Sequence, residues 1–443
     1  MDFQFEMSIF AEDLRKLGFQ VMILQFKAKN ILSIRDEQTL DFTASADNTY
    51  EEYAVVKIKN VRISKLGVIY GPNASGKSNI LKALYWLFQF MTNEEPRKQS
   101  LGTGLIPFKM DKDSRNEHSF MSIIFYIEES RYEYSIELDT ERIYHEDMYY
   151  YPNSRKALVY ERIWNPEKKS SSVTFGPMLK LSATQKLFIE SNCVANATVL
   201  STYQNSNVDR NDMLEDILRY MKVQILASLQ SSTDIISFAN EVVKNIEPSK
   251  SFIREMLVQA DFNITDLYLK EKEENERTVI MTNKVDSEDM IIQAGPLDDL
   301  FFTHQTPFFK GDMDDTEESE GTLRMYGLAA ILFLLIKQNQ ILLCDELESS
   351  LHYDLFTHII KTFLVNSERG QLIFSTHSLM LLDEDFIRRD MVYFTNKNEA
   401  GATEIYRAKD FGLHKDVSIL NAYRGGKLGA KPNLGSIFTN IPE

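Results

Sequence analysis

One segment of this 443-residue sequence combines the residue types and the spacing that can hold a phosphate chain. The pattern G-x-x-x-x-G-K-[ST] is met by Gly71, Pro72, Asn73, Ala74, Ser75, Gly76, Lys77 and Ser78, and Asn79 comes directly after it. Glycines let successive backbone N–H groups point at phosphate oxygens, and a helix after the loop adds the positive end of its dipole. We expect Lys77 to bind the β and γ phosphates and the Ser78 hydroxyl to coordinate Mg²⁺. The segment therefore predicts a nucleoside triphosphate site.

A pair of acidic residues supplies the second element of this chemistry. Asp345 and Glu346 come directly after the apolar run 341–344, which is typical of a buried strand that delivers carboxylates to the ligand-binding edge of a sheet. We expect Asp345 to hold the magnesium ion through its water shell. Glu346 would orient and deprotonate the attacking water. Such a pair alone would be a solvated strand end, but the phosphate loop upstream favours the catalytic interpretation.

A histidine at the end of the next apolar strand is a candidate for contact with the γ-phosphate. His377 lies in the sequence Ser375-Thr376-His377-Ser378, directly after the run 372–374. A neutral imidazole at this place can hydrogen-bond the γ-phosphate and the attacking water. Most isolated histidines are structural, but the position one strand–helix–strand unit after Glu346 favours the functional role.

A serine- and glycine-containing segment at the start of an apolar helix is the weakest of these signals. Ser319, Gly321 and Thr322 lie in the sequence Glu318-Ser319-Glu320-Gly321-Thr322. Serine and glycine at a helix N-terminus can bind an anion. An ordinary helix cap at Ser319 or Thr322 is the alternative, and the residues alone favour it.

The elements that must position these residues are indicated by apolar periodicity. Alternating or continuous apolar runs predict strands at 23–28, 39–42, 66–70, 121–127, 132–138, 157–163, 341–343 and 372–375, and hairpins at 265–293 and 391–407. Helical patterns occur at 80–90, 322–338 and 351–366, and the stretch 183–260 is mostly helical in pattern, with its helices ending near Pro248. No repeats or coiled-coil heptads interrupt this order.

Composition sets limits on the function class. Asp and Glu outnumber Lys and Arg by 65 to 49, and the net charge of −16 disfavours non-specific coating of nucleic acid, although a local basic face stays open. Cys193 and Cys344 lie too far apart in sequence for a zinc site or a disulfide scaffold. The acidic N-terminus does not resemble a secretory signal, and the longest apolar run, 328–336, is too short to cross a membrane. We expect a cytoplasmic protein with no membrane partner.

The order of these motifs resembles that of ABC-type ATPases, in particular the branch that includes the SMC and RecF proteins. The resemblance implies that ATP and Mg²⁺ are the cofactors and that two chains dimerise head to tail. Ser319, Gly321 and Thr322 of one chain would then contact the ATP held by the phosphate loop of the other. The segment Ser350-Leu351-His352 would cross the dimer seam. The usual glutamine loop has no clear counterpart, because Gln371 is out of place and Pro107-Phe108 is the nearest candidate.

A second resemblance extends over nearly the whole chain from residue 22. It rests on Met22-Ile23-Leu24-Gln25-Phe26, on Asn30 and Ser33, on the 318–322 segment and on the tail 423–432. These segments look like those of bacterial single-chain ATPases of the AAA family that occur in anti-phage defence and abortive-infection loci. The resemblance implies an ATP-hydrolysing switch that forms a homodimer or a higher homo-oligomer. It also implies control of a separately encoded effector, a nuclease or a toxin.

The two resemblances imply an α/β fold, a P-loop ABC-type ATPase head with a mixed sheet, an antiparallel β lobe and an inserted helical region. The predicted divisions are an N-terminal extension over 1–21, an N-terminal ATPase lobe over 22–204, a mainly helical insertion over 205–295 and a C-terminal ATPase lobe over 296–443. The extension could equally reflect an upstream start codon.

Two other functions and several decoy motifs compete with this interpretation. A DNA repair or maintenance ATPase of the RecF or SMC kind, binding DNA directly, is the main alternative. A transporter energy subunit is weaker, because Ser78 and Ser319 are too far apart in sequence. For four other segments an ordinary structural role is favoured over a functional one. They are a possible guanine-reading motif at Asn283-Lys284-Val285-Asp286, a possible nuclease motif at Asp383-Glu384-Asp385, the tyrosines 144 and 149–151, which could stack on bases, and the acidic run 312–318.

Overall fold

The computed structural model describes residues 20–93, 101–153, 155–223, 225–230, 233–260, 263–270, 298–414 and 417–431. Their contacts form two compact units. The sheet unit comprises Gly18–Ser231, Gln338–Leu347 and Leu364–Glu443, and the helical unit includes Ser232–Lys337 and Glu348–Phe363. Among the residues just given, no helix is both long enough and apolar enough to cross a membrane.

The described strands and helices occur in this order along the chain. The strands are β1 (Val21–Lys29), β2 (Gln38–Asp41), β3 (Val55–Ile58), β4 (Val61–Ser64), β5 (Leu66–Tyr70), β6 (Ser119–Ile127), β7 (Ser130–Leu138), β8 (Ile143–Tyr151), β9 (Ala157–Asn165), β10 (Ser170–Phe175), β11 (Ile225–Leu229), β12 (Ile264–Lys270), β13 (Asp299–Thr306), β14 (Phe309–Asp314), β15 (Ile341–Cys344), β16 (Gln371–Ser375), β17 (Val392–Lys397) and β18 (Thr403–Arg407). The α-helices are α1 (Glu51–Ala54), α2 (Lys77–Met91), α3 (Ala183–Asn192), α4 (Val199–Gln204), α5 (Asp212–Val223), α6 (Ile235–Asn245), α7 (Glu247–Gln259), α8 (Glu320–Lys337), α9 (Tyr353–Asn366) and α10 (Ile419–Arg424).

A six-stranded mixed sheet forms the core of the sheet unit. Its order is β11-β15-β16-β5-β17-β18, and every neighbouring pair is parallel except β17 and β18. β5, β15 and β16 are buried along their whole length, as expected for parallel strands covered on both faces. Because these three strands run in one direction, their carboxyl ends lie at one edge of the sheet.

A seven-stranded antiparallel sheet forms the β lobe of the same unit. Its order is β10-β9-β8-β7-β6-β1-β2, which confirms the predicted meander and the pairing of 23–28 with 39–42. The strand β8 was missed, because its tyrosines and acidic residues obscure the alternation of apolar and polar positions. Together with the mixed sheet, this lobe confirms the predicted α/β class and architecture.

A buried glutamine forms several hydrogen bonds between the mixed sheet and the β lobe. Gln371, the first residue of β16, is fully buried, and its amide Nε2 donates to the carbonyls of Ile23 and Ser64 at 2.9 and 3.1 Å. Its Oε1 accepts from the Ile23 N–H at 2.6 Å. β1 has a β-bulge between Ile23 and Gln25 at this place. Gln371 is therefore a structural residue, in agreement with its exclusion as the glutamine loop.

The β lobe contains a fully buried ion pair. Glu146 of β8 and Arg162 of β9 approach to 3.7 Å, and neither side chain is exposed. The guanidinium also donates to Ser171 Oγ and to three backbone carbonyls, while the carboxylate accepts from the Val199 N–H and from Tyr160. Burial raises the pKa of Glu146, although Arg162 and these hydrogen bonds oppose the shift. The pair ties the sheet to the start of α4.

The helical unit is built around α8, whose residues from Thr322 to Leu335 are almost all buried. α6 packs closely on it, because Gly327 has no side chain and a Cβ there would collide with Ile235. The Tyr326 hydroxyl donates to Asn240 Oδ1 at 2.8 Å, and the rings of Phe252 and Phe333 lie 5.7 Å apart. The antiparallel strands β12, β13 and β14 form the small sheet of this unit.

The limits of the units differ from the divisions predicted at 204 and 295. β11 pairs with β15, so the chain stays in the mixed sheet until Leu229. α8 belongs to the helical unit and not to a C-terminal ATPase lobe. Helical structure also continues past Pro248 to Gln259, because a proline in the first turn of a helix has no N–H that the helix needs.

Several predictions fall on residues outside the described ranges. The predicted extension 1–21 is described only at its last two residues, and the guanine-reading motif at 283–286 is not described at all. The predicted hairpin 265–293 is described only over β12, which pairs with β13. These predictions are therefore left as they stand.

Lys65 holds the C-terminal end of α9. Its side chain is 3% exposed, and its Nζ donates to the carbonyls of Leu364, at 3.0 Å, and Ser367. A cation at this end of a helix satisfies carbonyls that have no partner within the helix. Burial lowers the pKa of Lys65 to about 8, and Glu368 opposes the shift.

Replacing Lys65 by Met should change how stability depends on pH. Between about pH 8 and pH 10.5 the unfolded chain keeps the lysine proton that the folded chain has released. The free energy of unfolding of the natural chain therefore gains up to about 1.4 kcal/mol per pH unit from this group, whereas Lys65→Met lacks the gain. Urea unfolding across this range measures the difference. Lys59→Met, which alters an exposed lysine, is the control, and a difference between natural chain and Lys65→Met that stays constant with pH would contradict the prediction.

Candidate functional site

The predicted phosphate-binding segment forms a loop between β5 and α2. Lys77, the first residue of α2, is 6% exposed, and its Nζ donates to the carbonyls of Gly71 at 3.0 Å and Pro72 at 3.4 Å. Gly76 has a φ of 107°, and a Cβ there would collide with the side chain of Thr403. Only glycine fits this position, because both the left-handed backbone and the close neighbour exclude a side chain.

The C-terminal hairpin β17–β18 supports this loop through two threonine hydroxyls. Thr395 Oγ1 donates to the Tyr70 carbonyl at 3.2 Å, so it accepts the proton of Ser75 Oγ across 2.6 Å. Thr403 Oγ1 donates to the Ser75 carbonyl at 2.9 Å. Because each hydroxyl has one proton, these bonds have a fixed direction. The hydroxyl and the backbone carbonyl of Ser75 are therefore both hydrogen-bonded to a hairpin that lies more than 300 residues later in the chain.

A third hydroxyl extends the network to the turn after β1. Ser33 Oγ lies 2.8 Å from Thr403 Oγ1 and donates to it, since the Thr403 proton is already used. Ser33 Oγ in turn accepts from Asn79 Nδ2 at 2.8 Å. The amide of Asn79 is thus directed at Ser33.

The acidic pair lies at the carboxyl end of β15. The Asp345 N–H donates to the Leu229 carbonyl of β11 at 2.8 Å. Glu346 adopts a left-handed backbone with a φ of 52°. Its Oε1 lies 3.5 Å from Nε2 of His377, and the two side chains are 46% and 41% exposed. The structure therefore brings together the predicted base and the predicted histidine at one half-exposed place.

Ser375 connects the two acidic residues to β16. It accepts a hydrogen bond from the Glu346 N–H at 3.0 Å, and its hydroxyl donates to Asp345 Oδ1. The neighbouring Thr376 N–H donates to the Ile69 carbonyl of β5 at 3.1 Å. Through β16, the acidic pair and the strand that leads into the phosphate loop are thus linked by direct hydrogen bonds.

The serine- and glycine-containing segment lies in the helical unit at the start of α8. Ser319 Oγ accepts from the Thr322 N–H at 3.1 Å, which is the geometry of an ordinary helix cap. A Cβ at Gly321 would lie 3.3 Å from the Ser350 carbonyl, and Ser350 Oγ donates to Glu320 at 3.4 Å. The segment and the predicted seam loop 350–352 therefore contact each other. Their predicted roles in a dimer stay predictions.

Sequence patterns gave no role to four residues of the site. Ser375 lies in the Ser-Thr-His-Ser motif, but its buried position between two strands could not be seen there. Ser33 was noted only as part of a segment that resembles a known family, and no sequence motif includes Thr395 or Thr403. Their function depends on the pairing of β17 with β5, which is a long-range contact.

Acidic residues of the possible nuclease motif and of the acidic run 312–318 accept hydrogen bonds from neighbouring side chains. Asp383 accepts from Ser418 at 2.8 Å, and Asp385 accepts from the Tyr50 hydroxyl at 2.8 Å. In the part of the chain that the structure describes, no group of three or more His, Cys, Asp or Glu side chains is arranged to hold a metal ion. The run 312–318 is part of β14 and a 3₁₀ turn and not simply a solvated loop, since Asp312 accepts from Thr303 and Tyr268.

The tyrosines that could have stacked on bases pack instead on the surface of the β lobe. Tyr149 lies under the ammonium of Lys156 at 3.9 Å, and Tyr151 lies under the guanidinium of Arg131 at 4.5 Å. The ring of Tyr144 stacks on His118 with 3.8 Å between the ring centroids. These contacts agree with the packing interpretation that the sequence favoured over base stacking.

Solved structures of SMC heads are similar to this chain. An SMC head bound to the C-winged helix domain of ScpA is 12% identical, the match covers 91% of this chain and 99% of that one, and the TM-score is 0.42. The SMC head domain from Thermotoga maritima is 14% identical, with 87% and 98% covered and a TM-score of 0.40. An Smc head with an extended coiled coil, bound to the C-terminal domain of ScpA from Pyrococcus furiosus, is 12% identical, with 92% and 99% covered and a TM-score of 0.38. No curated protein matches the sequence.

One protein family matches over two segments, 66–176 and 228–383. The family is described as "AAA domain, putative AbiEii toxin, Type IV TA system". The first segment begins with β5 and carries the phosphate loop, and the second carries the 318–322 segment, the acidic pair and His377. The two segments together span more than half of the sequence, so the chain belongs to this family of AAA-domain proteins.

Proposed function

We propose that the protein is a Mg²⁺-dependent ATPase that acts as a molecular switch. The observation that carries this proposal is the geometry at one sheet edge, where β5 enters the phosphate loop and β15 and β16 lead into Asp345, Glu346 and His377. Glu346 and His377 are 3.5 Å apart and half exposed, so a substrate water can reach both. Membership of an AAA-domain family supports a nucleotide as the ligand.

In this proposal the loop 71–79 binds the phosphates of ATP. Lys77 Nζ would exchange its two bonds to loop carbonyls for bonds to the β and γ phosphate oxygens, which are stronger because both partners are charged. Backbone N–H groups of the loop and the N-terminal end of α2 add positive potential. The threonines of β17 and β18 keep the loop in its binding conformation, so less ordering is needed when ATP binds.

The residues present suit a magnesium ion. Ser78 and Asp345 offer a hydroxyl and a carboxylate oxygen, the hard ligands that Mg²⁺ prefers alongside water and phosphate. Only Oδ1 of Asp345 is bonded to Ser375, and among the described residues none donates to its Oδ2. Bound there, the ion would neutralise charge on the β and γ phosphates.

Hydrolysis would then use Glu346 as the general base. The water oxygen bonds to the γ-phosphorus while Glu346 accepts a proton from it, and the bond from the γ-phosphorus to the bridging oxygen breaks. The bond's electron pair leaves with ADP, and phosphate is the second product. His377 would hydrogen-bond the γ-phosphate and hold the water in line. The charge that develops in the transition state would be stabilised mainly by residues that are already in place before ATP binds.

Closure of a head-to-tail homodimer would be the switch. Ser319, Gly321 and Thr322 would contact the γ-phosphate on a second chain, as the resemblance to ABC-type ATPases implies. ATP shifts the equilibrium to the closed dimer only because it binds that state more tightly. The output of the switch would be control of a separately encoded nuclease or toxin in anti-phage defence. The family description names a putative toxin of a Type IV toxin–antitoxin system, which supports a place in such a two-component system.

Replacing Lys77 by Ala should abolish ATP binding. The variant loses charge-assisted hydrogen bonds to two phosphates, so the affinity should fall by about 100-fold or more. Calorimetric titration with ATP measures this directly. Lys82→Ala is the matched control, because Lys82 is an exposed lysine on the same helix. Equal ATP affinity in Lys77→Ala and Lys82→Ala would refute the phosphate-loop assignment.

Replacing Glu346 by Gln should separate ATP binding from hydrolysis. The amide keeps the size of the side chain but cannot accept the water proton, so kcat should fall by about 100-fold or more. ATP affinity should stay near its natural value, and Mg-ATP should convert the variant to a long-lived dimer in light scattering after gel filtration. Glu399→Gln, in the turn between β17 and β18, should hydrolyse ATP normally. Hydrolysis by Glu346→Gln at the natural rate would show that another group is the base.

The trapped variant also tests the role in defence. Purified from its own host with Mg-ATP present, Glu346→Gln should carry a nuclease or toxin-like protein at one-to-one stoichiometry by quantitative mass spectrometry. Lys77→Ala, which cannot reach the ATP state, should lose that protein. Capture of repair proteins together with nuclease-sensitive DNA would instead place the ATPase in genome maintenance.

A further inference from the structure

We propose that Ser375 is a positioning residue that sets the orientation of both Asp345 and Glu346. The inference rests on the proposed ATPase function and deepens it. It assigns the coupling between the metal ligand and the general base to one hydroxyl that contacts neither ATP nor the ion.

Ser375 is held rigidly by its place in the mixed sheet. It is the last residue of β16, it is fully buried, and β16 lies between β15 and β5. Its Cα is paired with that of Ile69, and the preceding Phe374 is paired with both Cys344 and Val68. A side chain on such a strand end has little freedom, so its hydroxyl marks a fixed point at the sheet edge.

The direction of the hydrogen bonds through Ser375 is determined by its single proton. The Glu346 N–H donates to Ser375 Oγ at 3.0 Å, which leaves the hydroxyl proton for Asp345 Oδ1. The carboxylate of Asp345 is thereby fixed in rotation, with Oδ1 toward Ser375 and Oδ2 directed elsewhere. In many metal sites, a residue that orients a metal ligand in this way tunes the affinity for the metal.

The same residue holds the unusual backbone of Glu346. A left-handed φ of 52° is unfavourable for a non-glycine residue. The bond from the Glu346 N–H to Ser375 Oγ offsets this cost, and the Leu347 N–H donates to the Ser375 carbonyl at 3.3 Å. The turn 345–347 is thus attached to one residue at three points. This turn directs Glu346 toward His377, which is only two residues after Ser375.

Loss of the hydroxyl should therefore affect the metal and the base together. In Ser375→Ala we expect the Mg²⁺ concentration for half-maximal hydrolysis to rise by about 10- to 100-fold and kcat to fall by a similar factor. The KM for ATP at saturating Mg²⁺, and the affinity for ATP without Mg²⁺, should stay within about threefold of the natural values, because the loop 71–79 is unchanged. A general loss of stability would not produce this split.

The matched control is Ser64→Ala. Ser64 is also fully buried, precedes β5, and loses a comparable hydrogen bond, from its Oγ to the Leu66 carbonyl at 2.8 Å. It contacts neither acidic residue, so its Mg²⁺ dependence should be natural. Ser375→Thr, which keeps the hydroxyl, should restore the natural Mg²⁺ dependence. If Ser375→Ala does not fold, Ser375→Cys, whose thiol is a poor donor, replaces it in the same comparison.

The outcomes separate this inference from the proposed function. A shifted Mg²⁺ dependence in Ser375→Ala, with normal behaviour of Ser64→Ala and Ser375→Thr, supports the positioning role. Natural Mg²⁺ dependence and kcat in Ser375→Ala, in a chain whose hydrolysis is lost in Glu346→Gln, overturns the inference and leaves the ATPase function intact. Absence of any ATP hydrolysis by the natural chain overturns both.

Discussion

The parallel register of β15, β16 and β5 is the constraint on which the rest of the site depends. The carboxyl ends of neighbouring parallel strands lie at the same edge of the sheet, so the residues that follow these strands lie close together there. β16 lies in the middle, and the residues at its carboxyl end therefore reach the neighbouring strand ends on both sides. One short turn with two carboxylates, a second turn with a histidine and the loop after β5 lie at one edge because three strands, far apart in sequence, share this direction.

The loop itself depends on the chain that comes last. β17 and β18 lie outside the sequence motif, yet their threonines are hydrogen-bonded to Ser75 in the loop. A phosphate loop must keep its N–H groups aimed inward, and the hydrogen bonds that join Ser75 to Thr395 and Thr403 serve this end. The C-terminal hairpin is therefore as much a part of the candidate nucleotide site as the motif that predicts it.

The elements with strong local patterns were predicted correctly, and those set by distant contacts were not. Each of three elements has an apolar pattern or a motif within ten residues of sequence, which was sufficient to predict it. These are the buried strand 66–70, the loop after it and the strand that precedes the acidic pair. β8 was missed because tyrosines and acidic residues occupy its buried and exposed faces alike. The limits of the helical unit depend on the pairing of β11 with β15, and the roles of Ser33, Thr395 and Thr403 depend on a hairpin docking at the far end of the sheet. No local pattern contains that information.

Gln371 and Ser375 are the two ends of one five-residue strand, a span of about 13 Å. One end is hydrogen-bonded to the β lobe through Ile23, and the other end is hydrogen-bonded to both acidic residues. A strand is stiff along its length, so a displacement of the lobe relative to the mixed sheet would shift Asp345 and Glu346, the proposed metal ligand and general base. In the proposed ATPase, the β lobe would therefore be coupled to hydrolysis, and a molecule bound to the lobe would alter the lifetime of the ATP-bound state without contacting the nucleotide.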